Sequence, residues 1–273
     1  MRRSDRILLL TCGALLMTAC ARPATVKSPK IRGTERIAPV YQLEDGEATR
    51  RRIQARDAVG LASQRLSAGE FDDAEKHARR ALRLDPQAVD AYTLLGAIES
   101  TRGNAAAAGP HYRRAAELAP DSADALNNHG AWLCANGYPA EAVVWLDRAL
   151  AAQAVAPRAS TLANAGSCAR RSGQVERAER DLRQALELEP ANVLALEHMA
   201  TLALEQGRLM QARAFAERRL AAAPADASVL QLAVRIEQGL GDRVAASRYQ
   251  QRLRAEFPEA VTTEPGKIHS DPG

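Results

Sequence analysis

The sequence predicts an all-α protein, a solenoid built from six repeated helix pairs. Three observations carry this. Glycines recur with a nearly constant period of 34 residues over most of the chain. The composition is 46% hydrophobic but only 4% aromatic, so the core must be made of Ala and Leu on closely packed helices. Gly and Pro fall between apolar segments, and β-branched runs that would suggest strands are missing.

The first element is an export signal, Met1–Ala19. A charged start (Met1–Arg6) precedes an apolar stretch, Ile7–Met17, that is too short to span a bilayer, which needs about 20 residues. It closes on Met17-Thr18-Ala19-Cys20, which resembles the bacterial lipobox, where the chain is cut before a cysteine that receives a diacylglycerol. The expectation is therefore a lipid on Cys20, with several acyl chains at about 0.8 kcal/mol per buried CH₂ holding the chain to a membrane. Ala21, which stands where Asp would mark inner-membrane retention, resembles the outer-membrane sorting state, so the expected location is the periplasmic face of the outer membrane.

Cys20–Gly46 reads as the lipidated cysteine and a tether. It has no helical period and carries Pro23, Pro29, Gly33 and Pro39. As a coil, the stretch after Cys20 reaches about 25–30 Å, which would keep the following domain near the membrane. Its basic residues, Arg22, Lys27, Lys30, Arg32 and Arg36 against Glu35, fit either weak contacts to anionic headgroups or a solvated linker.

Glu47–Pro258 is the repeat domain. Gly69, Gly103, Gly137, Gly173, Gly207 and Gly241 are spaced by 34, 34, 36, 34 and 34 residues. Five residues after each stands an alanine: Ala74, Ala108, Ala142, Ala178, Ala212 and Ala246. Seventeen after five of them stands Pro86, Pro120, Pro190, Pro224 or Pro258, and in the lengthened unit the proline moves to Pro157. A helix-turn-helix unit of 34 residues with these landmarks resembles the tetratricopeptide repeat (TPR), in six copies over about Ala55 to Pro258, and the resemblance implies a right-handed superhelical solenoid. In that geometry Gly ends helix A in a left-handed turn, Ala lets helices A and B approach, and Pro stops helix B. Tyr92, Leu95, Gly96, Tyr112 and Ala115 of repeat 2 also fall at its packing positions. Two departures stand out: Gly109-Pro110 should delay or kink the second helix of repeat 2, and Val234 stands where Gly or Ala is preferred. Glu259–Gly273 holds Pro265, Gly266 and Pro272 without an apolar period and reads as a disordered tail.

Charge argues against nucleic acid as a partner. The chain carries net +4, but removing Met1–Ala19 takes away three arginines and one aspartate and leaves a nearly neutral +2. Both signs are interleaved along every helix, whereas a nucleic-acid face gathers Lys and Arg beside stacking aromatics. Catalysis has no visible foothold: there is no G-x-S-x-G, P-loop, H-E-x-x-H or C-x-x-C. A non-enzyme without cofactor, apart from the covalent lipid, is expected. His77, His111 and His198 read as polar or packing residues and His269 lies in the tail; His129, five residues before Cys134, does not complete a zinc site.

Cys12 leaves with the signal, so Cys134 and Cys168 remain as thiols, both in the second half of helix A in consecutive repeats. Side-by-side A helices bring such positions within reach of a disulfide, and export exposes them to an oxidising compartment; two free buried thiols are the alternative. In the groove that stacked A helices line, Asn128 and Asn164 share the sixth position of helix A, with Asn127 beside the first and Arg171 about two turns beyond the second. Asn amides there can bond both N–H and C=O of an extended peptide, or cap local backbone. They resemble the asparagines of the carboxylate-clamp repeats of chaperone adaptors, though Leu194 stands where one of that clamp's lysines would be.

Two segments narrow the resemblance. Leu126-Asn127-Asn128-His129-Gly130-Ala131-Trp132-Leu133-Cys134 is similar to the L-N-N-Y-G-x-F-L-C segment of the PilF/PilW family of type IV pilus biogenesis lipoproteins, with His129 and Trp132 replacing its aromatics. Leu162-Ala163-Asn164-Ala165-Gly166-Ser167-Cys168 resembles that family's L-x-N-A-G-x-C segment, preceded by the same lengthened connection, Ala151–Ser160. The layout of lipobox, short tether and six repeats also resembles it. The resemblance implies an outer-membrane pilotin that helps the pilus secretin localise or multimerise, and it implies the Cys134–Cys168 disulfide. Another envelope machine, in outer-membrane protein assembly or cell-wall synthase regulation, is the alternative partner.

Overall fold

The computed structural model describes residues 46–152 and 158–262, with side chains up to Ala260. The signal, Cys20, the tether, Pro157 and the last eleven residues lie outside the described residues. Among the described residues every regular element is a helix. Six pairs follow one another: α1 (Glu47–Ser67) with α2 (Phe71–Leu84), α3 (Val89–Thr101) with α4 (Ala105–Leu118), α5 (Ala123–Ala135) with α6 (Pro139–Ala151), α7 (Arg158–Arg171) with α8 (Val175–Leu188), α9 (Val193–Glu205) with α10 (Leu209–Ala222), and α11 (Ala227–Leu240) with α12 (Arg243–Glu256). A short helix α13 (Pro258–Thr262) follows.

Each pair turns at the periodic glycine, whose φ lies between 71° and 91° at all six positions. An L side chain would be strained there. The residue after the glycine donates its backbone N–H five residues back, as in Asn104 N to Glu99 O (2.8 Å) and Gln174 N to Ala169 O (2.8 Å), which satisfies a carbonyl that the helix end leaves open. Side-chain caps start several of the following A helices: Ser122, Asn192 and Asp226 accept from the backbone N–H three residues on. The alanine of the period is fully buried in the first five pairs, and Ala246 is nearly so.

A second column explains how the two helices of a pair fit. Seven residues before each turn glycine stand Ala62, Gly96, Gly130, Gly166, Ala200 and Val234. Sixteen residues further, on helix B, stand Ala78, Tyr112, Leu146, Leu182, Ala216 and Gln250. Size is reciprocal. A Cβ on Gly96 would lie 2.8 Å from the Tyr112 ring, and Cβ atoms on Gly130 and Gly166 would lie 2.8 and 2.6 Å from Cγ of Leu146 and Leu182. Where helix B offers alanine, helix A carries alanine too, with Ala62 and Ala78 in one buried cluster and Ala200 and Ala216 in another. Close packing at fixed helix separation demands such compensation.

Successive A helices (α1, α3, α5, α7, α9, α11) touch one another directly, while successive B helices make no comparable contact. The A layer therefore lies on the inner side of the stack, and its free faces line a groove. Two sequence expectations change. Helix α4 begins at Ala105, with no delay, and runs through Pro110; a proline there deprives only the Ala106 carbonyl of its donor, and Gly109 has another use, described below. The chain after Pro258 does not become irregular at Glu259 but forms α13, since proline suits the first position of a helix and Glu259 favours its N-terminal dipole.

Candidate functional site

The column nine residues before each turn glycine runs Gly60, Leu94, Asn128, Asn164, His198 and Leu232 along the A helices. Polar groups thus occupy the three central repeats and apolar or small ones the ends. Two hollows open around this column. One, of about 380 Å³, holds Asn128 and Asn136 beside the rings of Tyr112 and Trp132. The other, of about 320 Å³, holds Asn164, Ser167, Arg170, Arg171, Leu194 and His198 over the sulfur pair of Cys134 and Cys168. Both are lined by Ala131 and Ala135 of α5, so the two hollows are neighbours.

Cys134 of α5 and Cys168 of α7 are bridged, with Cα atoms 5.6 Å apart, across the joint of repeats 3 and 4. Asn127 and Asn164 span the same joint: Asn164 Nδ2 donates to Asn127 Oδ1 at 2.9 Å. Asn127 gives only its Oδ1 to this bond and lines neither hollow, while Asn164 keeps one N–H and its oxygen for a ligand. Asn128 lines the aromatic hollow. Arg171, at the end of α7, is exposed and lines the second hollow. Leu194, also in that hollow, is exposed at 36%. Cys20 lies outside the described residues.

Sequence reasoning missed two groups. His198 continues the Asn128–Asn164 column by one repeat, a signal available from the period itself. Its burial, with Arg170 and Arg171 nearby, lowers its pKa from the ordinary 6.5 to about 4, so it is a neutral imidazole at neutral pH. Trp132 is seated by Gly109: a Cβ there would lie 2.3 Å from the indole ring. The indole Nε1–H donates to the Ala105 carbonyl at 3.0 Å, which fixes the ring between repeats 2 and 3. His129, buried below, stacks on Trp132 and meets Trp145 edge-on at 4.7 Å; burial lowers its pKa. Among the described residues no three His, Cys, Asp or Glu side chains gather as a metal site would require, and no helix is long and apolar enough to cross a membrane.

Models of the tetratricopeptide-repeat family match residues 59–123 and 169–236. No curated protein matches the chain in sequence. Among solved structures, that of PilW, a widely conserved type IV pilus biogenesis factor, superposes with a TM-score of 0.68 at 27% identity, covering 77% of this chain and 97% of PilW. PilF of Pseudomonas aeruginosa superposes with a TM-score of 0.65 at 24% identity over 77% of this chain and 95% of its own, a likeness of fold. A thermophilic repeat protein of Thermus thermophilus gives 0.54 at 26% identity, over 68% and 98%. The fold is a TPR solenoid. A TPR solenoid presents an extended groove to other proteins, and the TPR groove of this chain is polar at its centre.

Proposed function

We propose that this chain is a lipid-anchored pilotin of type IV pilus biogenesis. An acylated Cys20 holds it at the periplasmic face of the outer membrane, and its TPR groove takes a segment of the pilus secretin, assisting the secretin's localisation and multimerisation. The observation that carries the reading is the likeness to PilW along nearly that protein's whole length. The lipobox Met17–Cys20 and the two segments around Cys134 and Cys168 support it from the sequence. No further cofactor is required. The partner segment lies along Asn128, Asn164 and Arg171, with the disulfide beneath it, because those polar groups line the two central hollows where an extended backbone needs donors and acceptors.

The test is the amount of heat-resistant secretin multimer in outer membranes of cells lacking this protein, complemented with wild type, Cys20→Ala or Cys134→Ser. Multimers lost in the deletion and restored only by the acylatable form are expected. Unchanged multimers in the deletion would overturn the reading and leave a TPR scaffold of another envelope assembly machine.

A further inference from the structure

We infer that the hollow between α5, α7 and α9 is an acid-specific subsite, which takes the carboxylate of an Asp or Glu side chain from within an extended partner segment. The inference rests on the groove reading above and adds the chemistry that the groove selects.

The charges around the hollow decide the ligand's sign. No acidic residue lines it, and its only formal charges are those of Arg170 and Arg171. The Arg170 guanidinium donates to Glu205 Oε1 at 2.6 Å, so its charge is already met within the fold. Arg171 is exposed and makes no hydrogen bond or ion pair with any described residue, which leaves one uncompensated cation at the rim. A cation at the end of α7 is favoured by the helix dipole, but that alone does not place it over a hollow lined with neutral donors. Those donors are the second Nδ2–H of Asn164 and the hydroxyl of the nearly buried Ser167. His198 also lines the hollow, with its Nδ1 buried and unpartnered. Arg plus two neutral donors is a carboxylate-binding set, and a cationic side chain entering there would meet Arg171 without a counter-charge.

The neighbouring hollow favours an internal side chain over a chain end. The hollow shares Ala131 and Ala135 with its neighbour, lined by Tyr112 and Trp132, so a segment bound in the first passes beside the second. The segment's chemistry is therefore an acidic residue followed or preceded by an apolar one, with the apolar side chain on the indole face and the acid at Arg171.

The experiment is selection of a displayed library of random 12-residue peptides on the full chain carrying Cys20→Ser, and separately on the same chain carrying Arg171→Ala. Wild type is expected to enrich Asp or Glu at one position beside an apolar residue, and Arg171→Ala to lose that preference. A synthetic peptide from the selection, followed by fluorescence anisotropy, is expected to weaken about 10-fold on Asp→Asn or Glu→Gln against wild type, and to be unaffected by that change against Arg171→Ala. Peptides enriched without an acid preference, a preference that survives Arg171→Ala, binding that depends only on a free C-terminal carboxylate, or no enrichment over uncoated beads would each overturn the inference. Because Arg171 is exposed, helicity by circular dichroism should be the same for both chains, so loss of folding cannot mimic the result. The pilotin reading is judged separately by the secretin multimers: an acid preference with unchanged multimers would overturn that reading alone.

Discussion

The joint between repeats 3 and 4 and the joint between repeats 4 and 5 are built on the same packing frame but tied differently. At the first, α5 and α7 are bridged by Cys134–Cys168, Asn164 bonds Asn127, and Arg177 of α8 forks onto Asp147 of α6. At the second, the ties are ionic: Arg170 to Glu205, and Arg208 to Glu179 through two hydrogen bonds of 3.1 and 3.0 Å. The first joint is also where the period lengthens to 36 residues. A longer connection adds little loop entropy, so the covalent tie is better understood as fixing the angle between neighbouring A helices under the groove. The groove thus has a rigid floor at its centre and a softer wall beyond it.

The largest expected effect comes from cutting the rigid tie. Cys134→Ser with Cys168→Ser should lower stability to urea by about 3–4 kcal/mol, the chain-entropy value for the 34-residue separation. Reductant should do the same to wild type and nothing further to the double variant. A change under about 1 kcal/mol would mean that packing alone holds the joint and would remove the contrast drawn above.

The softer wall is expected to be the acid-labile one. His198 has a folded pKa of about 4 against 6.5 unfolded, so the unfolded chain binds the extra proton between those values. Its contribution is complete above pH 6.5 and is lost as pH falls towards 4, up to roughly 3 kcal/mol. His129 and His111 are shifted in the same direction by burial and should add to the slope. Urea melts of wild type and His198→Gln from pH 7 to 4 check this. The variant should show a shallower loss, and parallel curves would refute the assignment.

Reciprocal packing within the pairs gives the next effect. Gly166→Ala should cost about 1–3 kcal/mol, because its Cβ would lie 2.6 Å from Leu182 Cγ and 3.1 Å from the Ala178 carbonyl, a backbone atom that cannot step aside. Leu182 is fully buried, so Leu182→Ala is itself costly, but the double variant Gly166→Ala with Leu182→Ala should lose less than the sum of the two single losses, because the new Cβ no longer meets Leu182 Cγ. Equal melts for Gly166→Ala and wild type would break the compensation rule.

The repeat frame was legible because it is written at a fixed period: turn glycines, contact alanines and terminal prolines each mark one local event. The reciprocal column was equally periodic, and so was the groove column that ends at His198, although histidine in isolation reads as a packing residue. Other features depend on distances between repeats that no period encodes. Gly109 reads as a helix defect until Trp132 from the next repeat is seen to occupy its missing Cβ. Asn127 reads as a groove residue, and its bond from Asn164 across the joint is seen only in the structure. Helix α13 escaped because a five-residue helix has too few turns to show a period.

The smallest expected effect lies in the ionic tie of the softer joint. Arg208 and Arg183 hydrogen-bond Glu179 and hold its carboxyl below the usual range, so its contribution is present above pH 4.5 and is lost as pH falls through the lowered value. That window lies below most of the histidine window, so acid should weaken this joint in two successive steps. Glu179→Gln should cost no more than about 1 kcal/mol, since the pair is part-exposed and screened, and the cost should vanish in about 1 M salt while the disulfide's contribution persists. A salt-independent loss larger than that of the disulfide variant would reverse the ranking of the two joints and make the wall beyond the groove, and not its floor, the stiffer part.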